Sequence, residues 1–310
     1  MRILVTGGCG FIGSHIVDEL IDLNYEVLVI DNLITGSLNN LNPKAKFVQM
    51  DVLDENMSQI FIQFKPEVVI HHAAQIDVQH SLKNPKFDAT SNILGAISVL
   101  ECCRDAGVRK IVYASSAAIY GNPNYYPIDE EHAKEPLSFY GISKLTPEHY
   151  IKVFSELYNI KYTILRYSNA YGYRQDPKGE GGVISIFMNR ILNGENPHIF
   201  GDGEQVRDFI YVKDIANANL SVLEKGDNEI FNVSSSIPIT INKLYEIMSN
   251  ATETSLAPIY KEQRNGDIRK SYLDNSKIAL HLNWEPKYSL ERGLKETLAM
   301  QKELDFNLKG

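Results

Sequence analysis

The first half of the chain alternates short apolar runs with amphipathic stretches. The run from Ile3 to Val5 has the length and composition of a buried parallel strand. Three glycines follow it directly, at Gly7, Gly10 and Gly13. Apolar residues then recur at helical spacing from Ile12 to Ile21, and a second apolar run ends at Asp31. This order predicts a strand, a glycine turn, a helix and a second strand, which form one βαβ unit.

The same alternation continues to about residue 167, and Pro66 and Gly107 are expected to end helices. The further elements are predicted at residues 47–51, 54–64, 67–70, 86–106, 110–114, 137–157 and 162–167. Strands that alternate with helices in this way predict an α/β fold with a Rossmann-type, doubly wound parallel sheet. In such a sheet, ligands bind beyond the carboxyl ends of the strands.

The second half of the chain loses this regular alternation, and glycines and prolines separate shorter elements. We therefore expect residues 1–168 to form the cofactor-binding Rossmann domain, with a later segment at about 205–235 returning to it. Residues 169–310 are expected to form mainly a smaller C-terminal α/β domain that binds the substrate.

The glycine turn and Asp31 together predict a dinucleotide site; the alternative is a glycine-rich turn in another kind of α/β protein. Glycines let the backbone approach a pyrophosphate, and the positive end of the following helix favours its negative charge. Asp31 lies where a carboxylate can bind both hydroxyls of an adenosine ribose. It would repel a 2′-phosphate, and no Lys or Arg lies between Asp31 and Lys44 to neutralise one. The predicted cofactor is NAD, not NADP.

Composition and charge argue against several classes of function, among them nucleic-acid binding, membrane insertion and metal binding. The formal net charge of −8 argues against general affinity for nucleic acid. No apolar run reaches the roughly 20 residues that span a bilayer, and the first run is too short for a secretory signal. The cysteines have no metal-ligand spacing, and His71 and His72 would face opposite ways on a strand. We expect a cytoplasmic protein with reduced thiols, no metal site, and no membrane or nucleic-acid partner.

Two serines and a tyrosine–lysine pair predict the reactive centre. Ser115 and Ser116 follow a predicted strand, at the rim where ligands bind. Tyr140 and Lys144 have the i, i+4 spacing that places both side chains on one helix face. A cation about 4 Å from the phenol is worth roughly 4 kcal/mol at an effective dielectric constant of about 20, whereas lowering a pKa by about two units takes about 2.7 kcal/mol. Lys144 is therefore expected to lower the pKa of Tyr140 and make it a usable base.

Several sequence blocks, spread over nearly the whole chain, carry a family resemblance. They are TGGCGFIG at 6–13, DN at 31–32, SSAAIYG at 115–121, YGISK at 140–144, RYSNAYG at 166–172, IFGDG at 199–203, RDFIYVKD at 207–214 and GDIR at 266–269. With these blocks in this order, the chain resembles the extended short-chain dehydrogenase/reductases, and within them the nucleotide-sugar epimerases of the UDP-glucose 4-epimerase type.

The resemblance implies that a UDP-hexose is inverted at C4 through a transient 4-keto sugar, with NAD held tightly. Tyr140 would be the base, Ser116 would share the proton through a hydrogen bond, and Lys144 would hold the nicotinamide ribose. The residues implied to contact NAD are Gly7, Gly10, Phe11, Ile12, Gly13, Asp31, Asn32, Thr35, Gly36, Asp51, Val52, Ala73, Ala74, Ser115, Tyr140, Lys144 and Ser168. Those implied to contact the UDP-sugar are Ser116, Tyr140, Asn169, Phe200, Arg207, Arg264, Asp267 and Ser271.

Other activities on the same framework remain as alternatives. Nucleotide-sugar dehydratases and decarboxylases carry an acidic residue where this chain has Ala118, so they lack support here. An oxidoreductase acting on a nucleotide sugar would use the same residues but consume its cofactor. A non-catalytic dinucleotide sensor is disfavoured, because such proteins have usually lost the tyrosine and the lysine.

Two finer expectations follow from the resemblance. Ser271 occupies a position where a tyrosine restricts some family members to plain hexoses, so a small residue predicts room for an N-acetyl group. Family members also commonly dimerise through two long helices, here at about 86–106 and 137–158, which predicts a homodimer.

Overall fold

The computed structural model describes residues 1–177, 182–263 and 268–307, the last five of these as backbone only. The elements of the first half are β1 (Arg2–Thr6), α1 (Phe11–Asp22), β2 (Glu26–Asp31), β3 (Lys46–Gln49), α2 (Met57–Phe64), β4 (Val68–His71), α3 (Val78–Lys83), α4 (Pro85–Ala89), α5 (Gly95–Asp105), β5 (Lys110–Ser116), α6 (Phe139–Tyr158) and β6 (Lys161–Tyr167). Those of the second half are β7 (Asn169–Tyr171), α7 (Val183–Leu192), β8 (His198–Phe200), β9 (Val206–Arg207), β10 (Phe209–Tyr211), α8 (Val212–Ser221), β11 (Glu229–Val233), β12 (Ile239–Thr240), α9 (Ile241–Thr252), β13 (Ile259–Lys261), α10 (Ser276–Leu282) and α11 (Leu290–Asn307).

The central sheet has seven strands in the order β11-β6-β5-β4-β1-β2-β3. Every neighbouring pair is parallel, so the predicted Rossmann-type sheet is confirmed. The strand order reverses between β1 and β4, and the carboxyl ends of strands at such a reversal border a ligand-binding crevice. β11 comes from the second half of the chain and pairs with β6.

Helices cover both faces of this sheet because each strand is apolar on both sides. On one face, the core includes Ile16 of α1 and Ile215 of α8. On the other face it includes Phe61 of α2 and Ile151 of α6. A third core lies among α7, α9 and α11, with Leu244 at its centre and fully buried, and it supports the shorter elements of the second half.

The helix predicted at 86–106 is interrupted by an irregular turn. α4 is followed by a π-helical turn at Thr90–Leu94 and then by α5. Apolar spacing continues through this region, so the periodicity of the sequence does not reveal the wider turn. β3 also ends at Gln49, two residues before the predicted end at Asp51.

Candidate active site

The turn between β1 and α1 is built so closely that only glycine fits at two positions. Gly7 has a φ of +71°, and a Cβ there would lie 2.6 Å from the backbone nitrogen of Ala73. A Cβ on Gly13 would lie 2.2 Å from the carbonyl oxygen of Gly7. The end of β4 therefore passes directly beneath the turn, and α1 begins at Phe11 with its positive end beside it. This arrangement forms a cradle for a pyrophosphate.

A cavity of about 530 Å³ opens at this turn. Twelve of the residues predicted to contact a dinucleotide line it: Gly7, Gly10, Phe11, Ile12, Gly13, Asp31, Asn32, Thr35, Asp51, Val52, Ala73 and Ala74. Phe87, Thr90 and Ser91 also line it and were not predicted. Thr90 and Ser91 lie at the π-helical turn, which the sequence pattern did not reveal, and Phe87 lies on α4 just before it.

Asp31 is held in a fixed orientation at the end of β2. It is buried, and its carboxylate accepts hydrogen bonds from the backbone N–H groups of Cys9 and Leu33, each at 2.9 Å. The predicted contact residue Gly36 is not among those lining the cavity; a Cβ there would lie 2.8 Å from an Asp31 oxygen. Gly36 thus leaves space for the carboxylate. Burial, reinforced by Asp31, raises the pKa of the Cys9 thiol to about 12.

Ser116 and Tyr140 meet at the wall of a second cavity, of about 610 Å³. The side chains of Ser116 and Tyr140 both line this cavity, and the Ser116 hydroxyl acts to lower the pKa of the Tyr140 phenol. α6 starts with Ser138, whose side chain accepts the N–H of Gly141 at 3.1 Å. A Cβ at Gly141 would lie 2.7 Å from the carbonyl oxygen of Ala118. The first turn of α6 therefore packs directly on the turn that follows Ser116, which brings the two hydroxyls together.

The predicted effect of Lys144 on Tyr140 is wrong for this arrangement. Burial raises the pKa of Tyr140, and the Ser116 hydroxyl opposes that change. Burial lowers the pKa of Lys144 to about 8, opposed by Asp88. The Lys144 ammonium donates to the carbonyl oxygen of Ala114 at 2.9 Å. Tyr140 and Lys144 do have the expected i, i+4 spacing on α6. However, the Lys144 ammonium binds a carbonyl at the end of β5, and burial of the Tyr140 phenol has the largest effect on its pKa.

Ser115 borders the second cavity, yet its hydroxyl points into a buried polar network. It donates to Oε1 of Glu148 at 2.6 Å. Arg166 binds the same carboxylate through Nε at 3.1 Å and Nη2 at 2.7 Å, and both charged side chains are 2% exposed. Arg166 also donates to the Tyr120 hydroxyl at 2.9 Å. Glu148 was not predicted from the sequence. Its partner Arg166, a charged residue inside the apolar run 162–167, was the signal that a buried acid should be sought.

Four other predicted contact residues also line the second cavity: Ser168, Asn169, Phe200 and Arg207. The Asn169 amide donates to the carbonyl oxygen of Asp208 at 3.0 Å. Burial raises the pKa of Asp208 to about 7, although the N–H of Leu273 donates to its carboxylate at 3.1 Å. Asp208 thereby joins Asn169 of β7 to the segment that follows Ser271.

The predicted residues of the loop near 270 are only partly described. Arg264 and Asp267 lie outside the described residues. The N–H of Ser271 donates to the carbonyl oxygen of Val206 at 3.0 Å, beside Arg207, but Ser271 is not among the residues lining the cavity. The ring of Tyr272 stacks on Tyr126 at a centroid distance of 5.5 Å.

His71 and His72 have structural partners. Nδ1 of His71 lies 2.7 Å from the Thr6 hydroxyl, and the ring of His72 stacks on Tyr167. Burial lowers the pKa of both imidazoles to about 3. Within residues 1–177, 182–263 and 268–307, no cluster of three or more His, Cys, Asp or Glu could hold a metal ion. Among the helices of those same ranges, none is long and apolar enough to cross a membrane.

Comparison with known proteins gives consistent matches over the whole chain. The family model described as the NAD dependent epimerase/dehydratase family matches residues 3–234. A protein of Methanocaldococcus jannaschii named putative UDP-glucose 4-epimerase is 51% identical over 302 residues, which cover 97% of this chain and 98% of the relative.

Solved structures agree with this match. UDP-glucose 4-epimerase from Thermotoga maritima, solved with UDP-glucose, is 48% identical with a TM-score of 0.96 and coverage of 98% of this chain and 99% of the other. UDP-N-acetylglucosamine 4-epimerase from Methanobrevibacter ruminantium, in complex with UDP-N-acetylmuramic acid, is 38% identical with a TM-score of 0.93 and 98% coverage of both chains.

Proposed function

The chain belongs to the NAD dependent epimerase/dehydratase family, and we propose that it interconverts UDP-hexoses by inverting C4, using NAD that stays bound. The observation that carries this proposal is that Ser116 and Tyr140 lie together at the wall of the larger cavity. Phe11 and Ile12 line both that cavity and the one at the glycine turn. A dinucleotide and a nucleotide sugar could therefore meet at these residues.

The residues at the glycine turn fit NAD. The turn at Gly7 and Gly13 has no space for a Cβ, as a backbone cradle for pyrophosphate requires. Asp31 presents a fixed carboxylate for ribose hydroxyls. We assign cofactor binding to residues 1–168 with the segment near 205–235, and substrate binding mainly to residues 169–310. NAD held there would supply the hydride acceptor and donor for C4, so that no cofactor would be consumed.

In the proposed mechanism the protein moves one proton and holds the sugar. Tyr140, as phenolate, takes the proton from the C4 hydroxyl, and Ser116, which lines the same cavity wall, shares it. Lys144 is proposed to hold the nicotinamide ribose, the role that the family resemblance implies. After the 4-keto sugar has rotated to present its other face, Tyr140 returns the proton to the oxygen at C4. Arg207 holds the diphosphate, so the sugar can rotate while the nucleotide stays fixed.

The second cavity favours epimerisation over dehydration. Among the described residues that line it there is no Asp or Glu. The N–H of Ala118 donates to the Ser116 hydroxyl at 3.2 Å, at the place where dehydratases carry their acidic residue. Elimination of water needs such an acid/base partner beside Tyr140, whereas inversion at C4 needs Tyr140 and Ser116 alone.

The decisive experiment is turnover without added cofactor. Purified protein incubated with UDP-galactose should form UDP-glucose over many turnovers, with both sugars quantified by chromatography. An oxidoreductase with net redox would stop after one turnover unless NAD or NADH is supplied. Product formation that requires stoichiometric cofactor would overturn the epimerase proposal, and so would a 4-keto-6-deoxy product.

The substrate range is proposed to include the N-acetylated sugar. Neither Ser271 nor Tyr272 is among the described residues that line the cavity; the ring of Tyr272 is held by stacking on Tyr126, so the assignment rests on Ser271, the position that the family resemblance places beside the C2 substituent. We expect wild type to act on UDP-N-acetylglucosamine, and Ser271→Tyr to lose this activity selectively while retaining UDP-glucose turnover. Tyr272→Ser is the control and should leave the preference unchanged. A wild type inert toward the acetylated sugar would contradict this assignment.

The chain is proposed to work as a cytoplasmic homodimer. α6 exposes Val153 and Leu157, and the neighbouring helical segment exposes Phe87 and Leu94. Light scattering should give the mass of two chains, and Val153→Lys should give that of one, whereas Leu280→Lys on α10 should not. The free, buried state of all three cysteines suits a reducing compartment, and cell fractionation tests that location.

A further inference from the structure

Asp88 is a buried acid that neither the sequence pattern nor the mechanism above accounts for. It lies on α4 and is 1% exposed. Its Oδ1 accepts hydrogen bonds from Nε2 of Gln75 at 2.8 Å and Nδ2 of Asn92 at 3.3 Å. Its Oδ2 is buried without a hydrogen-bond partner among the described residues. A buried carboxylate that is only half satisfied is costly, so a compensating charge is expected nearby.

The π-helical turn connects Asp88 to the catalytic helix. It places Asn92 so that Nδ2 reaches both Asp88 and, at 2.9 Å, the hydroxyl of Ser143 on α6. Ser143 lies between Tyr140 and Lys144 in the sequence. Such turns often occur at functional sites, because the extra residue per turn redirects side chains. The acid is thus fixed to the helix that carries the tyrosine and the lysine.

Lys144 is the cation that this acid can compensate. Its side chain is buried, and its ammonium binds the carbonyl of Ala114, which carries no net charge. Through Asn92, Asp88 is joined to Ser143, which directly precedes Lys144 on α6, and its charge favours the protonated forms of Lys144 and Tyr140.

Resting on the function proposed above, we propose that Asp88 is the counter-charge of Lys144 and a positioning residue of the catalytic centre. Gln75 and Asn92 fix its carboxylate, and the negative charge of that carboxylate favours the protonated form of the buried Lys144 side chain. Asp88 takes no proton from the substrate.

The sign of the expected pH effect follows from the charge. Removing a negative charge lowers the pKa of Lys144 and of Tyr140 together, so both limbs of the activity profile move to lower pH. The imidazoles of His71 and His72, at the end of β4, stay neutral above their pKa of about 3. Other buried titratable or charged side chains on α6 and on the elements packed against it include Cys103, Lys110, Tyr113, Tyr120, Glu148, Arg166 and Tyr167.

The test is Asp88→Asn in the NAD-bound protein, with kcat and kcat/KM measured against pH. The amide preserves shape, and both limbs should move down by about one pH unit, since a nearby charge typically shifts a pKa by 1–3 units. Asp88→Glu keeps the charge and should keep the wild-type profile. Asp214→Asn is the matched control, because Asp214 is equally buried but binds the backbone at Lys287 and Tyr288. A rate loss that leaves both limbs in place would mean a structural role only.

A direct titration separates this inference from the proposed function. The Lys144 ammonium can be followed by NMR in lysine-labelled protein and assigned through Lys144→Met. Its pKa should fall in Asp88→Asn and stay in Asp88→Glu and Asp214→Asn. If wild type does not epimerise UDP-hexoses, the function fails while this titration still tests the counter-charge. An unchanged Lys144 pKa in Asp88→Asn overturns the inference whatever the activity.

Discussion

Replacing Tyr140 by Phe is expected to lower kcat by about 10²–10⁴-fold, the range for a general acid/base group. The change removes one oxygen from a half-buried side chain that lies in the wall of the larger cavity. The ring stays, so packing and the cofactor cradle should be unaffected. NAD content, thermal stability and UDP-glucose affinity should therefore match those of wild type, and the loss should appear in kcat rather than in KM.

The matched control for this variant is Tyr211→Phe. Tyr211 is a buried tyrosine that lies in the third core, and its hydroxyl faces Glu296 at 3.4 Å. The activity of the Tyr211→Phe enzyme should stay within a few-fold of wild type. Ser116→Ala should cost less than Tyr140→Phe, because water can replace a hydroxyl donor in part. A Tyr140→Phe enzyme within about threefold of wild type would remove Tyr140 from the role of base.

The parts of the site that could be predicted from sequence are those set by local rules. The glycine turn, Asp31 and the serines at the end of β5 each follow directly from a strand and lie at its carboxyl end. The sheet topology then brings these ends to one edge. That Tyr140 and Lys144 belong together needed only helical spacing.

The site features that could not be predicted depend on contacts between segments that are distant in the sequence. In the sequence, Asp88 has the pattern of an ordinary polar helix residue, and only the π-helical turn buries its carboxyl and joins it through Asn92 to α6. The Lys144 ammonium likewise points to the carbonyl oxygen of Ala114, which lies on β5 rather than on α6. Helical spacing fixes which residues share a face, but not which neighbour covers that face or how much water it removes.

Glu148 and Arg166 illustrate the same limit. Glu148 lies one turn beyond Lys144 and would be read as a solvated helix residue, while Arg166 interrupts an apolar strand. The structure pairs them, at 2% exposure each, directly behind Ser115. This pair fixes α6 to β5 and β6, and those elements carry Tyr140, Ser116 and Ser168.

Replacing Arg166 by Met is accordingly expected to destabilise the fold by about 3–5 kcal/mol, the range for removing one member of a buried ion pair. Met fills much of the space, but it leaves the Glu148 carboxylate buried without its two guanidinium bonds. The Tyr120 hydroxyl and the carbonyl of Glu130 lose a donor as well. Urea unfolding at neutral pH measures the loss, provided that two optical probes give the same transition.

Two further variants test whether the unpaired Glu148 carboxylate causes the loss of stability in Arg166→Met. Arg174→Met removes a more exposed pair, in which Arg174 lies 2.8 Å from Asp18, and should cost only about 0–1 kcal/mol. The double variant Arg166→Met with Glu148→Met removes both buried charges and should be more stable than Arg166→Met alone, because no carboxylate is then left unpaired. Equal or greater instability of the double variant would assign the loss to packing at β6 instead. An Arg166→Met protein within about 1 kcal/mol of wild type would show that the pair does not hold α6 in place.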